Sequence, residues 1–503
     1  MIIATRLPHR RLSTFECIVV RTCSVLTFLL TLMVGVCFST SGAAVAQEAK
    51  PNIVYLLADD LGYDDVGWRG SDIQTPNLDQ LANAGAKLEQ FYVQPVCSPT
   101  RAALMTGRYP IRYGLQVGVV RPWADYGLNT DEYLLPEALK DAGYETAIVG
   151  KWHLGHVDAK YLPTQRGFDH QYGHYNGALD YFTHVRDGGH DWHKDDQANY
   201  DEGYSTTLIG REAARIVRER DQDKPLFLYV PFNAVHTPLQ APENTIEKYT
   251  ERQGNRQKYA AMMDELDQAV GEIVSAIKEQ GQLETTLFVF SSDNGGPNPG
   301  RLTDNGVLRA GKGTVYEGGV RVVAFASWPG KIPAGSKVDQ PMHIVDMFPT
   351  LVKLAGGSSE KSKTLDGMDM WKVISEGQAS PRDEMIHNIT PNGGAIRVGD
   401  YKLIKKGNRA AQRRNQNANR NRNQNQNGNS AGRGNGNRRA TGPYELYNIK
   451  EDVGEQKDLA ETEPEKLAEM IQRYEELAAG AVKPYNSGNK PAGWEVPKVY
   501  GEK

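Results

Sequence analysis

Polar residues that could do chemistry fall at the ends of apolar runs. Asp59-Asp60 directly follows the run 53–58, and Asp293-Asn294 follows 287–291. Lys151 and His153 come just after the run 146–149, and His236 follows 226–230. Open α/β sheets bind ligands beyond the carboxyl ends of their strands. Four such ends would bring three carboxylates, an amide, a lysine and two histidines to one edge. One Asp-Asp pair after a strand is as readily a turn or a helix cap; two in one sheet say more. Three carboxylates crowd together only where a cation compensates them. An oxygen-only donor set suits a hard ion such as Ca²⁺ or Mg²⁺ better than zinc. Ca²⁺ is favoured because its looser geometry accepts several bulky carboxylates.

The second feature is a lone cysteine. Of the four cysteines, Cys17, Cys23 and Cys37 lie in an N-terminal leader, so after its removal only Cys97 remains and no internal disulfide is available. Cys97 opens the stretch Cys97-Ser98-Pro99-Thr100-Arg101-Ala102-Ala103-Leu104-Met105. Ser98 suits a helix N-cap and Pro99 the first helical position. That puts Cys97 at a helix amino end, where the dipole and free N–H groups favour an anion, with Arg101 adding charge. Taken alone, this is more readily a capped helix beside an inert buried thiol.

The extended pattern Cys97-x-Pro99-x-Arg101 with Leu104-Met105-Thr106-Gly107-Arg108 resembles the signature of the type I, formylglycine-dependent sulfatases. That family's second signature is matched by Gly143-Tyr144-x-Thr146-x-x-x-Gly150-Lys151-Trp152-His153-Leu154-Gly155. Leu162-Pro163-Thr164-x-Arg166-Gly167-Phe168-Asp169, Glu317-Gly318-Gly319-Val320-Arg321 and Leu365-Asp366-Gly367-x-Asp369 resemble its arylsulfatase B (N-acetylgalactosamine 4-sulfatase) branch. The likeness runs from about residue 51 to 459.

The resemblance implies a role for each matching position. Cys97 would be oxidised to 3-oxoalanine (Cα-formylglycine) by a formylglycine-generating or sulfatase-maturating enzyme. Asp59, Asp60, Asp293 and Asn294 would hold Ca²⁺ together with the modified residue 97. Arg101 would orient that residue, and His153 would contact its hydrate. Lys151 and Lys312 would bind the sulfate oxygens, and His236, beside the substrate, would protonate the departing alcohol. Lys312 comes from the resemblance only; Gly311-Lys312-Gly313 reads by itself as a solvated turn. The chemistry needs these parts: a sulfate ester's oxygens repel nucleophiles, so the site must gather positive charge. A thiol would be left sulfated, whereas an aldehyde hydrate has a second hydroxyl whose collapse expels sulfate.

The elements that must position these residues alternate between strand and helix, which predicts βαβ units around a mostly parallel sheet. Helices are expected at 132–142, 205–218, 259–278 and 344–354, and strands at the runs above and at 320–326. After about residue 385 the pattern changes to short strands at 395–398, 401–405 and 444–447, with a helix at 464–479. The expected architecture is an α/β, alkaline-phosphatase-like sandwich with a large mixed, mostly parallel central sheet flanked by helices. A small C-terminal antiparallel sheet with one helix follows. The corresponding domains are a catalytic α/β part at 47–385 and a C-terminal α+β part at 386–503. The Asn/Gln/Arg-rich tract 407–441 lacks acidic and large apolar residues, cannot bury a core and is expected to be disordered. Its arginines offer a speculative clamp for sulfated polymers.

Residues 1–46 read as a signal peptide: Arg6, Arg10, Arg11 and Arg21 precede the apolar run 25–38, and Ala44-Val45-Ala46 offers a cleavage site. The run is short for a membrane anchor, so an exported, periplasmic or extracellular protein without stable membrane insertion is expected. Removing the leader takes away four Arg and one Glu, moving the formal net charge from −4 to −7. That gives no general attraction for nucleic acid. A sulfated saccharide is the expected partner. His190, Trp192, His193 and Arg301, in segments where the likeness is weak, would be structural or exposed more often than saccharide contacts. Two alternatives stand beside a sulfatase: a phosphate or phosphonate ester hydrolase of the same superfamily, and a non-catalytic binder of sulfated glycans.

Overall fold

Four apolar runs become parallel strands, and a fifth parallel strand, His170–His174, joins them without an apolar run to announce it. In the computed structural model, which describes residues 50–407, 442–486 and 488–502, these are β1 (Asn52–Ala58), β3 (Glu145–Lys151), β4 (His170–His174), β7 (Leu226–Pro231) and β8 (Thr286–Ser292). Three short strands extend one side: β2 (Ala86–Leu88), β9 (Ala324–Ser327) and β10 (Ser336–Val338). β5 (His193–Lys194) and β6 (Gln197–Ala198) extend the other. The ten strands lie in the order β10-β2-β9-β8-β1-β7-β3-β4-β5-β6. The run β8-β1-β7-β3-β4 is parallel, and β9, β5 and β6 are antiparallel to their neighbours. The expected leader, 1–46, and all but the first residue of the tract expected at 407–441 lie outside the described residues.

The parallel strands are apolar on both faces because both are covered. Ile53, Tyr55 and Leu57 share one core with Phe227, Tyr229, Leu287 and Val289, beneath α1 (Cys97–Thr106), α2 (Leu135–Asp141) and α5 (Met347–Leu354). Val54, Leu56 and Ala58 join Leu228, Val230, Phe288 and Phe290 on the other face, beneath α3 (Ser205–Glu219) and α4 (Gly254–Glu279). Burying each large side chain contributes about 1.5–3 kcal/mol. The two layers therefore fix the register of the central strands, and with it the residues at their carboxyl ends.

Element boundaries differ from expectation where tertiary partners intervene. The helix expected from 132 begins at Leu135, because buried Glu132 is held by Arg108 at 2.6 Å. The strand expected at 320–326 is split into a helical turn, Glu317–Val320, and β9. The helix expected at 344 starts with a 3₁₀ turn, Ile344–Asp346. The C-terminal strands β11 (Glu384–Thr390), β12 (Gly393–Val398), β13 (Tyr401–Lys405) and β14 (Tyr444–Asn448) form an antiparallel meander. α6 (Pro464–Ala479) packs on it through Met470, Tyr474 and Leu477. Ile386, Ile396, Leu403 and Leu446 belong to the same apolar core as Phe227, so the change of architecture near residue 385 is not a break in the core.

The meander also supports the Gly-rich segment that carries Lys312. Lys402, fully buried on β13, reaches Glu317 at 2.8 Å and Glu455 at 2.9 Å. Glu455 in turn accepts from the backbone N–H of Glu317 at 2.8 Å. Asn388, in the sequence Asn388-Ile389-Thr390, is buried and donates to Gln116 O at 3.1 Å, which leaves no room there for a glycan.

Candidate active site

The four strand ends meet at one edge of the sheet. β1 and β8 run side by side with Ala58 opposite Ser292, so Asp59-Asp60 and Asp293-Asn294 emerge together. Backbone contacts lock them: Asp59 N–H donates to Ala234 O at 2.9 Å and Asp293 N–H to Ala58 O at 3.0 Å. β3 ends in Lys151, whose amine lies 2.5 Å from Asp59 Oδ2, both side chains fully buried. Gly150 is required here. Its φ is +134°, and a Cβ would stand 2.0 Å from Pro231 O on β7.

Cys97 Sγ, 2 % exposed, lies 3.5 Å from both Asp59 Oδ1 and Asn294 Oδ1. Donor atoms of Asp59, Asp60, Cys97 and His236 all fall within 4.8 Å of one another. Asn294 also donates to Asp60 at 2.8 Å. Arg101, one turn along α1, is wholly buried. It donates twice to Asp293 Oδ2, at 3.1 and 2.8 Å, and once to Lys151 O at 2.9 Å. Lys312 reaches Asp60 Oδ1 at 2.6 Å. The turn that carries Lys312 is held by Gly313 N–H on Pro95 O, 2.8 Å, beside Cys97. Nine of the ten expected site residues are therefore in this one cluster, and the tenth, His153, is tied to α1 through Ser98.

The site's charges are strongly coupled. Burial and the neighbouring Asp293 push Asp59 up to about 7, against the pull of Lys151. Burial alone would raise Asp60, but Lys312 and His236 hold its carboxyl below the usual range. Burial would lower Lys312, yet Asp60 keeps its ammonium well above the ordinary value. Burial, then Asp293 and Asp59, push the Cys97 thiol up, so it is neutral and a weak nucleophile. Burial and Lys312 lower His236 to about 3. Its Nδ1–H donates to Thr237 O at 2.6 Å, and Nε2 lies 3.6 Å from Asp60. Among the described residues the donor set of three carboxylates and one amide oxygen around residue 97 fits a hard divalent cation.

His153 adopts φ +62°, and its Nε2–H donates to Val120 O at 3.0 Å. Its buried Nδ1 has no hydrogen-bond partner among the described residues. A Cβ on Gly177 would stand 2.4 Å from the His153 ring, so only glycine lets the 175–177 turn pack there. The structure corrects one expectation. α1 starts at Cys97 with Val96 before it, so Ser98 is not the N-cap and Pro99 is the third helical residue. Ser98 Oγ instead donates to His153 O at 2.9 Å and accepts from Val120 N–H at 3.1 Å, tying the helix to the loop that holds His153. Sequence reading missed this role because the bond partners lie 22 and 55 residues away. Ser98→Ala is expected to lower stability by about 1–2 kcal/mol, read from urea unfolding, as two buried groups lose their partner.

Outside the cluster, Trp192 and His193 are buried structural residues. Trp192 lies among Tyr172, His174 and His184, and His193 sits 3.3 Å from Asp191. His190 hydrogen-bonds Asn199 O at 2.8 Å, and Arg301 is exposed. Among the described residues no helix is long and apolar enough to cross a membrane.

A large mixed, mostly parallel sheet with a cluster of charged residues at its carboxyl edge, plus a small antiparallel meander, is the expected α/β sandwich of the alkaline-phosphatase-like type. The sulfatase family profile matches residues 51–358. Arylsulfatase J of Mus musculus is 42 % identical over 391 residues, 72 % of this chain and 65 % of the mouse protein. Arylsulfatase A of Homo sapiens is 38 % identical, covering 72 % of this chain and 76 % of the human one. The crystal structure of Ps i-CgsB with k-i-k-neocarrahexaose superposes with a TM-score of 0.76 at 32 % identity, over 87 % of this chain and 94 % of that one. The chain belongs to the sulfatase family. The expectation of the sulfatase family is upheld, with the arylsulfatase B branch not singled out; the match spans just under two thirds of the mouse relative's length.

Proposed function

We propose that this chain is an exported sulfuric ester hydrolase that releases inorganic sulfate from a sulfated saccharide. Cys97 would be the precursor of its formylglycine nucleophile. The observation that carries this reading is the setting of Cys97: a buried thiol, 3.5 Å from oxygens of Asp59 and Asn294, ringed by Arg101, Lys151 and Lys312. The neutral thiol is unfit to attack a sulfate ester, whereas the surroundings are built to bind one.

In this reading Asp59, Asp60, Asp293 and Asn294 hold Ca²⁺. When bound, the ion and a formylglycine at position 97 supply charge stabilisation and a hydroxyl nucleophile. Three carboxylates balance Arg101, Lys151 and Lys312, so a divalent ion leaves the pocket two charges positive, complementary to an anionic ester. Lys151 and Lys312, relieved of Asp59 and Asp60, bind the sulfate oxygens. Arg101 fixes Asp293 and the Lys151 backbone. His153, whose Nδ1 has no hydrogen-bond partner among the described residues, would contact the hydrate at residue 97. His236 starts as a neutral ring; the incoming ester's negative charge favours uptake of a proton from solvent at Nε2, which the ring then delivers to the leaving oxygen.

The leader 1–46 would direct export to the periplasm or exterior, where Ca²⁺ is plentiful. The domains follow as 47–385 for catalysis and 386–503 for support. A maturating enzyme acts on Cys97 before folding buries it. N-acetylgalactosamine 4-sulfate and carrageenan-type galactans are the first substrates to try.

The direct test measures free sulfate from defined sulfated saccharides and compares kcat/KM for an aryl sulfate and the matching aryl phosphate. A preference for phosphate overturns the assignment. His236→Ala should slow sugar sulfates about 10²-fold while slowing an activated aryl sulfate far less, because only the poor leaving group needs a proton. Equal losses on both would contradict the proton-donor role. Stripping divalent ions with a chelator should abolish turnover and lower Tm, and Ca²⁺ should restore both better than Mg²⁺. Full activity in excess chelator would remove the metal from this proposal.

A further inference from the structure

The last residues of the chain do not trail away from the site. Val482 N–H donates to Ile111 O at 2.9 Å and Tyr485 N–H to Gly114 O at 2.8 Å. Tyr485 stacks on Tyr126 at 4.9 Å. Further along, His190 N–H donates to Lys498 O at 2.8 Å and Tyr500 N–H to His190 O at 2.9 Å. Tyr500 is buried against His156. These residues form a strap across three loops near the catalytic cluster.

One of those loops links the strap directly to the chemistry. In the segment 118–126, Val120 O holds the His153 ring and Pro122 O accepts from His156 Nε2–H at 3.3 Å. Trp123, the next residue, meets Trp494 of the strap edge to face at 6.1 Å. Both rings are only partly buried, and Lys490 Nζ stands 4.8 Å over Trp494. Lys498 and Arg121 are exposed nearby in sequence, as are Asp125 and Glu495. Tryptophan pairs an apolar ring face with a polar N–H, which suits it to half-wet binding surfaces. Partly exposed indole faces beside an ammonium suit a ligand with an apolar ring face and an anionic substituent, such as a sulfated sugar.

We propose that the Trp123–Trp494 pair with Lys490 is a saccharide subsite that takes a sugar unit beyond the one carrying the scissile ester. The substrate is then a sulfated oligosaccharide rather than a monosaccharide. This rests on the sulfatase reading above and narrows its substrate class. The occupant is a sugar chain, because Trp123 stands three residues along its loop from Val120, whose carbonyl holds His153, and Trp494 packs on Trp123.

The experiment compares full-length wild type, Trp494→Ala and Trp494→Phe. The substrates are k-i-k-neocarrahexaose, a hexasaccharide containing N-acetylgalactosamine 4-sulfate, the matching monosaccharide sulfates and an aryl sulfate. Wild type should turn over one hexasaccharide with a higher kcat/KM than its monosaccharide. Trp494→Ala should lower the hexasaccharide-to-aryl ratio of kcat/KM about tenfold, through KM, and Trp494→Phe should retain most of it. In the inactive Cys97→Ala background, the same Trp494→Ala change should weaken hexasaccharide binding by calorimetry to a similar extent. A wild type indifferent to chain length, or a Trp494→Ala loss equal on aryl and hexasaccharide substrates, would show that the tryptophans only pin the strap and would overturn the inference. A wild type that releases no sulfate from any of these compounds, yet binds the hexasaccharide through Trp494, would overturn the sulfatase reading and leave the subsite standing.

Discussion

Cys97→Ala is expected to fold and to lose at least about 10⁴-fold in sulfate release, as removal of a nucleophile does elsewhere. The fold should survive because Cys97 contributes little packing. Its Sγ faces Asp59 and Asn294, and α1 is held by Ala102, Ala103, Leu104 and Met105 in the apolar core. The sharper form of the prediction concerns unmodified wild type. Burial, with Asp293 and Asp59 beside it, keeps the thiol protonated, so protein made in a host without a maturating enzyme should be as inactive as the alanine variant. Activity across preparations should scale with the fraction of residue 97 converted, measured by peptide mass spectrometry. High turnover in a preparation carrying only free Cys97 would end the formylglycine proposal while leaving the family assignment untouched.

What was legible in the sequence follows from the geometry of a parallel sheet. β1, β3, β7 and β8 are buried on both faces, so they are written as continuous apolar runs whose ends are unmistakable. Asp59, Asp60, Lys151, His153, His236, Asp293 and Asn294 could therefore be placed at one edge before any coordinates were known. Lys312 could not. It lies on an irregular Gly-rich segment whose position depends on long-range backbone bonds, Lys312 N–H to Gly296 O at 3.3 Å and Gly313 N–H to Pro95 O at 2.8 Å. Only resemblance to a family pointed to it. Ser98 shows the opposite failure: local capping rules gave a reasonable answer, but a hydroxyl shared with the His153 loop won. Trp192 and His193 read as structural or exposed rather than as saccharide contacts, and they prove to be structural: both are buried, in a short segment whose aromatic cluster leaves no local periodicity to detect.

Arg101 carries the second large expectation, because its always-charged guanidinium is wholly buried and bridges several partners of the cluster. Its guanidinium takes Asp293 by two bonds, lies 3.7 Å from Asp59 and also caps Lys151 O. Arg101→Met keeps much of the volume but strands two buried carboxylates. Breaking such a pair costs about 3–5 kcal/mol, and the lost preorganisation should cost at least about 10³-fold in sulfate release. Arg101→Lys should recover little, since an ammonium cannot bridge both partners as the fork does. The double variant Arg101→Met with Asp293→Asn separates the two effects: removing the stranded charge should return most of the stability and none of the activity. Saturating Ca²⁺ should also narrow the stability gap between Arg101→Met and wild type, because a bound divalent ion compensates the same carboxylates. Urea unfolding with and without Ca²⁺, alongside sulfate release, reads all of this from one set of proteins. An Arg101→Met protein as stable as wild type in the absence of divalent ions would mean that the carboxylates are not held ionised by this residue, and the electrostatic account of the site would have to be rebuilt around Lys151 and Lys312.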